Sequence, residues 1–418
     1  MPAGRQARRG DYNIAMADLP TPEPEALAIS QELGAVIAQR IERAGGWIGF
    51  DAFMAAALYE PGLGYYSGNS RKFGRGGDFV TAPEISPLFG ACVAAQCAQW
   101  LAGTSDGVIE FGAGTGMLAA HVLNELSRLG FDEISYGIVE LSAPLRAVQR
   151  HTIETLAPHA ITRVHWHDEL PRRIDAVVLA NELLDAIPVR RFVLDGLRVL
   201  ERGVARRDPV TVDRQDPFAQ VFEWSDRPAD PAFEEQVRRA LERSGWPAEE
   251  RAMPYESELG EQAQAWVETV GASLGRGALL LFDYGFPAGE FYHPQRSEGT
   301  LACHYRHRVH FEPFFLPGLQ DVTSHVDFSA IAAGAAAGGL EPLGYTSQAN
   351  FLLNSGLLER LSQVLPEDAL ARARQTQSIQ ALVSEAEMGE LFKVIAFGRG
   401  LADDALGFVR GDRFGALS

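Results

Sequence analysis

Short apolar runs recur along the chain, and each of them ends in glycine or polar residues. The clearest runs are residues 107–111, 136–139, 175–180 and 278–282, and residues 164–167 form a further candidate strand in which histidine alternates with valine and tryptophan. Runs of this length, bounded by turn-forming residues, are typical of buried strands. After the first run, Leu118, Val122 and Leu126 recur at the spacing of one helix face. This alternation of strand and helix predicts an α/β fold with a parallel sheet.

Two later apolar segments do not follow this alternation. Leu340 to Thr346 and Phe392 to Phe397 look like strands that pair antiparallel to each other. With them the count reaches seven, so we expect a doubly wound, seven-stranded, Rossmann-like sheet. An N-terminal helical and lid region and several helical insertions complete the expected α/β architecture.

The pattern also divides the chain into regions. We expect an unfolded tail and linker over 1–28, a helical region with a lid loop over 29–105, and the first half of the core over 106–205. An insertion over 206–255 precedes the second half over 256–400, which carries insertions near 286–320 and 352–387, and a tail over 401–418. Predicted elements include helices from Ser30 to Arg43, over 231–243 and over 256–271, and a hairpin over 189–203.

The expected lid is a long segment rich in glycine, aromatic and charged residues. It runs from Tyr59 to Tyr66 and again from Gly74 to Ser86, and it contains Thr81, Pro83 and Glu84. Loops of this length are uncommon in compact domains unless they cover or bind something, so we favour a lid. A surface loop without a function is the alternative.

Three alternating glycines follow the first predicted strand. Gly112, Gly114 and Gly116 come directly after Glu110, in the spacing E-x-G-x-G-x-G rather than G-x-G-x-x-G. Glycine permits positive φ and lets the backbone lie against a ligand. An acid at the end of the strand disfavours a pyrophosphate and favours an ammonium group. Together these features predict S-adenosylmethionine, which carries an ammonium and a sulfonium but no phosphate.

Other polar residues follow the second, fourth and fifth predicted strands. Glu140 ends the second strand, at the position where an acid holds ribose hydroxyls in doubly wound folds. Asn181, Glu182 and Asp185 follow the fourth strand, and Asp283 follows the fifth. Such residues lie in the crevice where open α/β sheets bind ligands. Solvated strand ends and helix caps are the alternative reading of these acids.

Composition excludes several classes of protein. The net charge of -18 argues against nucleic acid as a partner and favours a cationic ligand or a basic peptide. Three cysteines without a C-x-x-C pair suggest reduced thiols. We expect no metal, because His165 and His167 have no third ligand nearby, and no membrane span, because apolar runs stay below ~18 residues.

Several motifs resemble one family. The chain resembles the MidA-like family of S-adenosylmethionine-dependent methyltransferases, which includes the mitochondrial complex I assembly enzyme that methylates an arginine. The matching stretches are residues 59–66, 77–86, 110–116, 181–186, 320–328 and 388–393.

The resemblance implies a class I methyltransferase sheet and an arginine acceptor. A guanidinium is always protonated in water, so its site needs carboxylates that orient it and take up a proton. The carboxylates expected to be catalytic are Glu182, Asp185 and Glu84. The residues expected to hold the donor are Glu110, Gly112, Gly114, Gly116, Glu140 and Asn181, and those expected to contact the substrate are Thr81, Pro83, Asp283, Tyr284 and His325.

Two other functions stay open, namely a small-molecule methyltransferase and a non-catalytic assembly factor that keeps the donor site. The partner that the resemblance implies is a protein with an accessible arginine, such as a complex I subunit. The oligomeric state stays open, and a homodimer is one alternative. We expect a cytoplasmic location in a bacterium and the mitochondrial matrix in a eukaryote.

Overall fold

The computed structural model describes residues 19–68, 80–104, 106–196, 198–208, 210, 220–251, 253–401 and 404–417. Residues 69–79 of the expected lid lie outside the described residues, as do residues 1–18 of the expected tail. The helices in the described ranges are α1 (Pro24–Arg43), α2 (Phe50–Tyr59), α3 (Ala82–Ile85), α4 (Pro87–Leu101), α5 (Met117–Arg128), α6 (Ala143–Leu156), α7 (Pro231–Arg243), α8 (Glu261–Ser273), α9 (Ala288–Phe291), α10 (Phe328–Ala337), α11 (Gln348–Asn354), α12 (Leu357–Gln363), α13 (Ala369–Val383) and α14 (Met388–Leu391).

The strands of the same ranges are β1 (Ile48–Gly49), β2 (Val108–Phe111), β3 (Tyr136–Val139), β4 (Val164–His167), β5 (Val177–Asn181), β6 (Arg190–Asp195), β7 (Arg198–Arg206), β8 (Phe222–Pro228), β9 (Tyr255–Leu259), β10 (Gly277–Phe286), β11 (Ala302–Tyr305), β12 (Arg308–His310), β13 (Asp321–Thr323), β14 (Val326–Asp327), β15 (Glu341–Ser347) and β16 (Phe392–Arg399). These elements form two compact units. The first comprises the described residues within 19–68, 186–262 and 289–325, and the second comprises those within 80–185, 263–288 and 326–417.

The second unit is built on a mixed sheet in the order β15-β16-β10-β5-β2-β3-β4, with β14 added beside β10. Strands β10, β5, β2, β3 and β4 run parallel, and β16 lies antiparallel between β10 and β15. The predicted α/β fold is therefore confirmed. The count differs from seven because the two-residue strand β14 pairs with the end of β10.

The central strands of this sheet are buried almost completely, as their continuous apolar runs predict. Val108, Val177 and Leu280 are shielded from solvent together with Phe89 and Leu123 of helices α4 and α5. Burial of this kind fixes the sheet, so the carboxyl ends of β2, β3, β5 and β10 are held at one edge.

The first unit contains an antiparallel sheet in the order β1-β7-β6-β9, with β8 beside β7, and a small sheet in the order β12-β11-β13. Its core brings together aromatic rings of Phe50, Phe53, Phe222 and Phe314. The expected hairpin over 189–203 is confirmed as β6 and β7, and the helix over 231–243 as α7.

Two predicted helices begin elsewhere. Helix α1 starts at Pro24 rather than Ser30, because a proline in the first turn and Glu25 suit a helix N-terminus. The helix expected from Glu256 starts only at Glu261, because residues 255–259 pair with β6 as strand β9. Pairing with a buried strand outweighs the helix preference of Glu-Ser-Glu-Leu there. In the described ranges, no helix is long and apolar enough to span a membrane.

Candidate active site

The glycine turn joins β2 to α5 in the second unit. Gly112, Gly114 and Gly116 have φ of 64°, 51° and 82°, which are left-handed values that favour glycine. A Cβ on Gly112 would lie 3.0 Å from Leu183 Cδ1, and one on Gly116 would lie 3.0 Å from the Cα of Gln149. The three predicted glycines are therefore brought together in a turn whose conformation and space suit glycine.

Glu140 follows β3 and lies beside this turn. Its Oε1 accepts a hydrogen bond from Ser142 N at 2.8 Å, and its Oε2 accepts one from Gln149 Nε2 at 3.1 Å. The same Nε2 donates to the carbonyl oxygen of Gly114 at 3.1 Å. Each carboxylate oxygen keeps a lone pair that can accept a hydrogen bond from a hydroxyl group.

Glu110 differs from the other residues predicted to hold the donor, because its side chain is buried within the core. Its Oε2 accepts a hydrogen bond from the Tyr136 hydroxyl at 2.8 Å. Burial raises the pKa of Glu110 to about 7, against the opposing effect of the Tyr136 hydrogen bond. A cation nearby would favour the ionised form of this acid.

Strand β5 ends in Asn181, and the chain turns sharply at Glu182. Glu182 has a φ of 52°, which is uncommon for a residue other than glycine and marks a strained turn. Asn181 Nδ2 donates to Glu182 Oε1 at 3.0 Å, whereas the buried Asn181 Oδ1 has no hydrogen-bond partner among the described residues. A buried amide oxygen left without a donor is suited to accept from a bound ammonium.

The carboxyl groups predicted to be catalytic interact with each other. Burial and the charges of Asp185 and Glu84 together raise the pKa of Glu182 to about 8, against the lowering effect of hydrogen bonds from Asn181 and the Ala82 backbone. Glu84 lies on helix α3, where its Oε1 accepts from Thr115 Oγ1 at 3.3 Å. The structure therefore brings Glu84, Glu182 and Asp185 together, with Glu84 hydrogen-bonded to the glycine turn through Thr115.

Asp283, at the end of β10, is fully shielded from solvent and holds the loop after β5. Its Oδ2 accepts from the backbone N–H groups of Leu184 at 2.8 Å and Asp185 at 3.3 Å, and its Oδ1 accepts from Tyr284 N at 2.9 Å. Burial and then the charges of Asp185 and Glu182 raise its pKa well above the usual range. Asp283 thus belongs to the same carboxyl cluster, but both of its oxygens accept hydrogen bonds from backbone N–H groups.

The other residues predicted to contact the substrate are spread over several elements. Thr81 caps helix α3 and Pro83 is buried within it. The ring of Tyr284 packs edge-on against Phe392, with centroids 5.4 Å apart. His325 belongs to the first unit, where its backbone N–H donates to Thr300 Oγ1 at 3.1 Å.

Gln149, Tyr136 and Trp166 were not among the residues predicted for the site. Gln149 is fully buried on α6, between the glycine turn and Glu140, and it accepts a hydrogen bond from Trp166 Nε1 at 2.9 Å. One signal in the sequence could have singled out Gln149, because it lies four residues before Ile153 on the apolar face of a predicted helix.

The arrangement fits one class of protein. A parallel sheet, a glycine turn, a carboxylate after the next strand and an orphaned amide oxygen after β5 suit an adenosyl donor with an amino acid tail. Fold and site together are those of an S-adenosylmethionine-dependent methyltransferase.

Comparison with known proteins identifies the family. A family model described as S-adenosyl-L-methionine-dependent methyltransferase matches residues 92–346. The chain belongs to this MidA-like methyltransferase family, and its methyl donor is S-adenosylmethionine.

Relatives and solved structures agree with this assignment. The chain is 30% identical to "Protein arginine methyltransferase NDUFAF7, mitochondrial" of Danio rerio, over 83% of this chain and 82% of that protein. Identity to the Homo sapiens protein of that name is 27%, over 82% and 78% of the two chains. A crystal structure from Burkholderia thailandensis bound to S-adenosyl-homocysteine has a TM-score of 0.88 and 48% identity, over 95% of this chain and 100% of that chain.

Proposed function

We propose that this methyltransferase transfers methyl groups to an arginine of a protein. The observation that supports the proposal is the carboxyl cluster of Glu84, Glu182, Asp185 and Asp283 at the strand ends next to the glycine turn. An ammonium acceptor would need fewer acids, whereas a planar guanidinium offers five donors to several carboxylates. The relatives named protein arginine methyltransferase support the same acceptor.

Glu182 is the proposed base, because its raised pKa of about 8 suits a group that takes up a proton near neutral pH. Asp185 and Glu84 orient the guanidinium, and Asp283 holds the loop that carries Glu182. We keep Thr81, Pro83, Tyr284 and His325 as proposed substrate contacts. When bound, the donor supplies the methyl group: a nitrogen–carbon bond forms, the sulfonium becomes a thioether, and the acceptor nitrogen loses a proton.

The proposed donor site comprises Gly112, Gly114 and Gly116 along the turn, Glu140 at the ribose and Asn181 at the ammonium. Glu110 is proposed to contribute its charge from the strand that precedes the turn. The seven-strand path of the sheet corresponds to the doubly wound class I arrangement that we infer for the core.

The proposed acceptor is a subunit of respiratory complex I or a related protein, which the family resemblance supports. In a bacterium the enzyme would act in the cytoplasm, and in a eukaryote in the mitochondrial matrix. A homodimer is the assembly that we propose to test by light scattering.

The test is labelling of an extract from cells that lack this protein, using purified enzyme and S-adenosylmethionine with a radioactive methyl group. We expect label in the protein fraction, released by acid hydrolysis as methylarginine and absent with Gly114→Val. Label confined to small molecules would favour the small-molecule enzyme. No label at all, despite binding of S-adenosylhomocysteine, would favour the assembly factor.

A further inference from the structure

We propose that Gln149 is a positioning residue that locks the glycine turn and the ribose-binding carboxylate of Glu140 into one arrangement. The inference rests on the proposed donor site. Gln149 Nε2 donates to both Gly114 O and Glu140 Oε2, each at 3.1 Å, so a single amide group joins the two halves of that site.

The orientation of this amide is set by Trp166. An indole N–H can only donate, so Gln149 Oε1 must face Trp166 Nε1, 2.9 Å away. The amide NH2 group then has to point toward Gly114 O and Glu140. Trp166 is itself held in place, because the guanidinium of Arg150 lies 4.4 Å from the centre of its ring.

Backbone packing reinforces the arrangement. Gly116 approaches Gln149 so closely that a Cβ would lie 3.0 Å from the Cα of Gln149. With Ser142 N on Oε1 and Gln149 on Oε2, the Glu140 carboxylate is held on both oxygens, and its remaining lone pairs have fixed directions. Gln149 therefore determines how strictly the site requires ribose hydroxyls, although it need not touch the donor.

The test uses calorimetric titration with S-adenosylhomocysteine and with its analogues that lack the 2′- or the 3′-hydroxyl. In the wild-type protein, at least one analogue should bind about tenfold more weakly, because a hydrogen bond to the carboxylate is lost. In Gln149→Leu, S-adenosylhomocysteine should bind about tenfold more weakly than it binds the wild-type protein. The ratio of the dissociation constant of the weaker analogue to that of S-adenosylhomocysteine should fall toward one. Gln96→Leu, which removes another fully buried glutamine of the same unit, should keep the wild-type ratio.

Two further variants separate the possible failures. Trp166→Phe removes the hydrogen bond that orients the Gln149 amide but keeps the amide. It should lower the ratio less than Gln149→Leu does, and it keeps the test valid if Gln149→Leu does not fold. An unchanged ratio in Gln149→Leu and Trp166→Phe, with a lowered ratio in Glu140→Ala, would overturn the role of Gln149 alone. An unchanged ratio in Glu140→Ala, or no preference for either hydroxyl in the wild-type protein, would overturn the proposed ribose site as well.

Discussion

At the scale of single residues, the orphaned Oδ1 of Asn181 is the feature most closely tied to donor binding. It is buried at the end of β5 without a hydrogen-bond partner among the described residues, while its Nδ2 is engaged by Glu182. Leaving a buried acceptor unsatisfied costs ~1–3 kcal/mol, so a ligand that donates there gains affinity. The ammonium of the donor is such a group.

We therefore expect Asn181→Ala to weaken the binding of S-adenosylhomocysteine about tenfold. Binding of 5′-methylthioadenosine should not change, because this ligand has no amino acid group. Calorimetric titration of both ligands measures the difference. Asn354→Ala, which removes an amide bonded to the Gly407 and Arg410 carbonyls, is the matched control. Equal weakening of both ligands by Asn181→Ala would contradict this role.

At the scale of elements, the loop after β5 depends on a residue of a neighbouring strand. Asp283 accepts hydrogen bonds from the backbone N–H groups of Leu184 and Asp185. These two bonds hold the loop that carries Glu182. Asp283→Ala should therefore lower the rate of methyl transfer at saturating donor more than tenfold, and destabilise the protein by ~1–3 kcal/mol. Melting curves and methyl-transfer rates test both effects.

Asp327→Ala is the control for Asp283→Ala. Asp327 Oδ1 accepts the N–H groups of Ser329 at 3.0 Å and Ala330 at 3.2 Å, so its loss should cost stability without changing the rate per folded molecule. A similar loss of rate in both variants would show that Asp283 only stabilises the fold.

The glycine turn is a second element whose geometry can be tested. In Gly116→Ala the new Cβ would meet the backbone of Gln149, so this variant should bind S-adenosylhomocysteine more than tenfold more weakly. Gly130→Ala has a similar positive φ of 87° but open space around it, so it should cost ~1 kcal/mol of stability and leave affinity unchanged. Calorimetry on the two variants compares them, and equal affinities would contradict the importance of close packing at the turn.

Much of this site could be predicted from the sequence because its residues follow buried strands directly. The runs before Gly112, Glu140, Asn181 and Asp283 are mostly apolar, with Glu110 as the exception in the first, and parallel strands place their carboxyl ends at one edge. Gln149 could not be found in this way, because it acts from the middle of a helix through contacts distant in sequence. Nor could the hydrogen bonds that Asp283 accepts from the backbone of Leu184 and Asp185, because these residues are distant in sequence.

The first unit was harder to predict for a different reason. Strands β8 and β9 lie in a polar, proline-rich part of the chain and owe their conformation to pairing with β7 and β6. Glu258 is buried there with its carboxylate paired to Arg191 and hydrogen-bonded by Thr300, and these partners are too distant in sequence for a local pattern to indicate them.

At the scale of the whole molecule, the buried carboxyl groups link stability to pH. The pKa of Glu110 is raised to about 7 and that of Glu182 to about 8, from an ordinary value of 4.5. Between 4.5 and these values the folded protein binds more protons than the unfolded chain, so stability falls as pH rises. Buried histidines such as His121, with a pKa lowered to about 4, act in the opposite direction but only below their ordinary value of 6.5.

The melting temperature should therefore fall by a few degrees between about pH 6.5 and 8.5. The decrease should be smaller in Glu182→Gln, whereas Glu385→Gln, at an exposed position, should behave as the wild-type protein. Calorimetric melting across this range tests the sign, and a melting temperature that rises with pH would contradict it.

We propose that the carboxyl cluster receives and deprotonates a guanidinium, and the pH dependence of methylarginine formation at low acceptor concentration tests this role. With wild-type protein we predict a rate that rises with pH through a midpoint near the raised pKa of Glu182, about 8. Glu182→Gln should still bind S-adenosylhomocysteine but lose about a hundredfold or more in rate, with this rise abolished. If Glu182→Gln keeps the wild-type rate and pH profile, Glu182 is not the base.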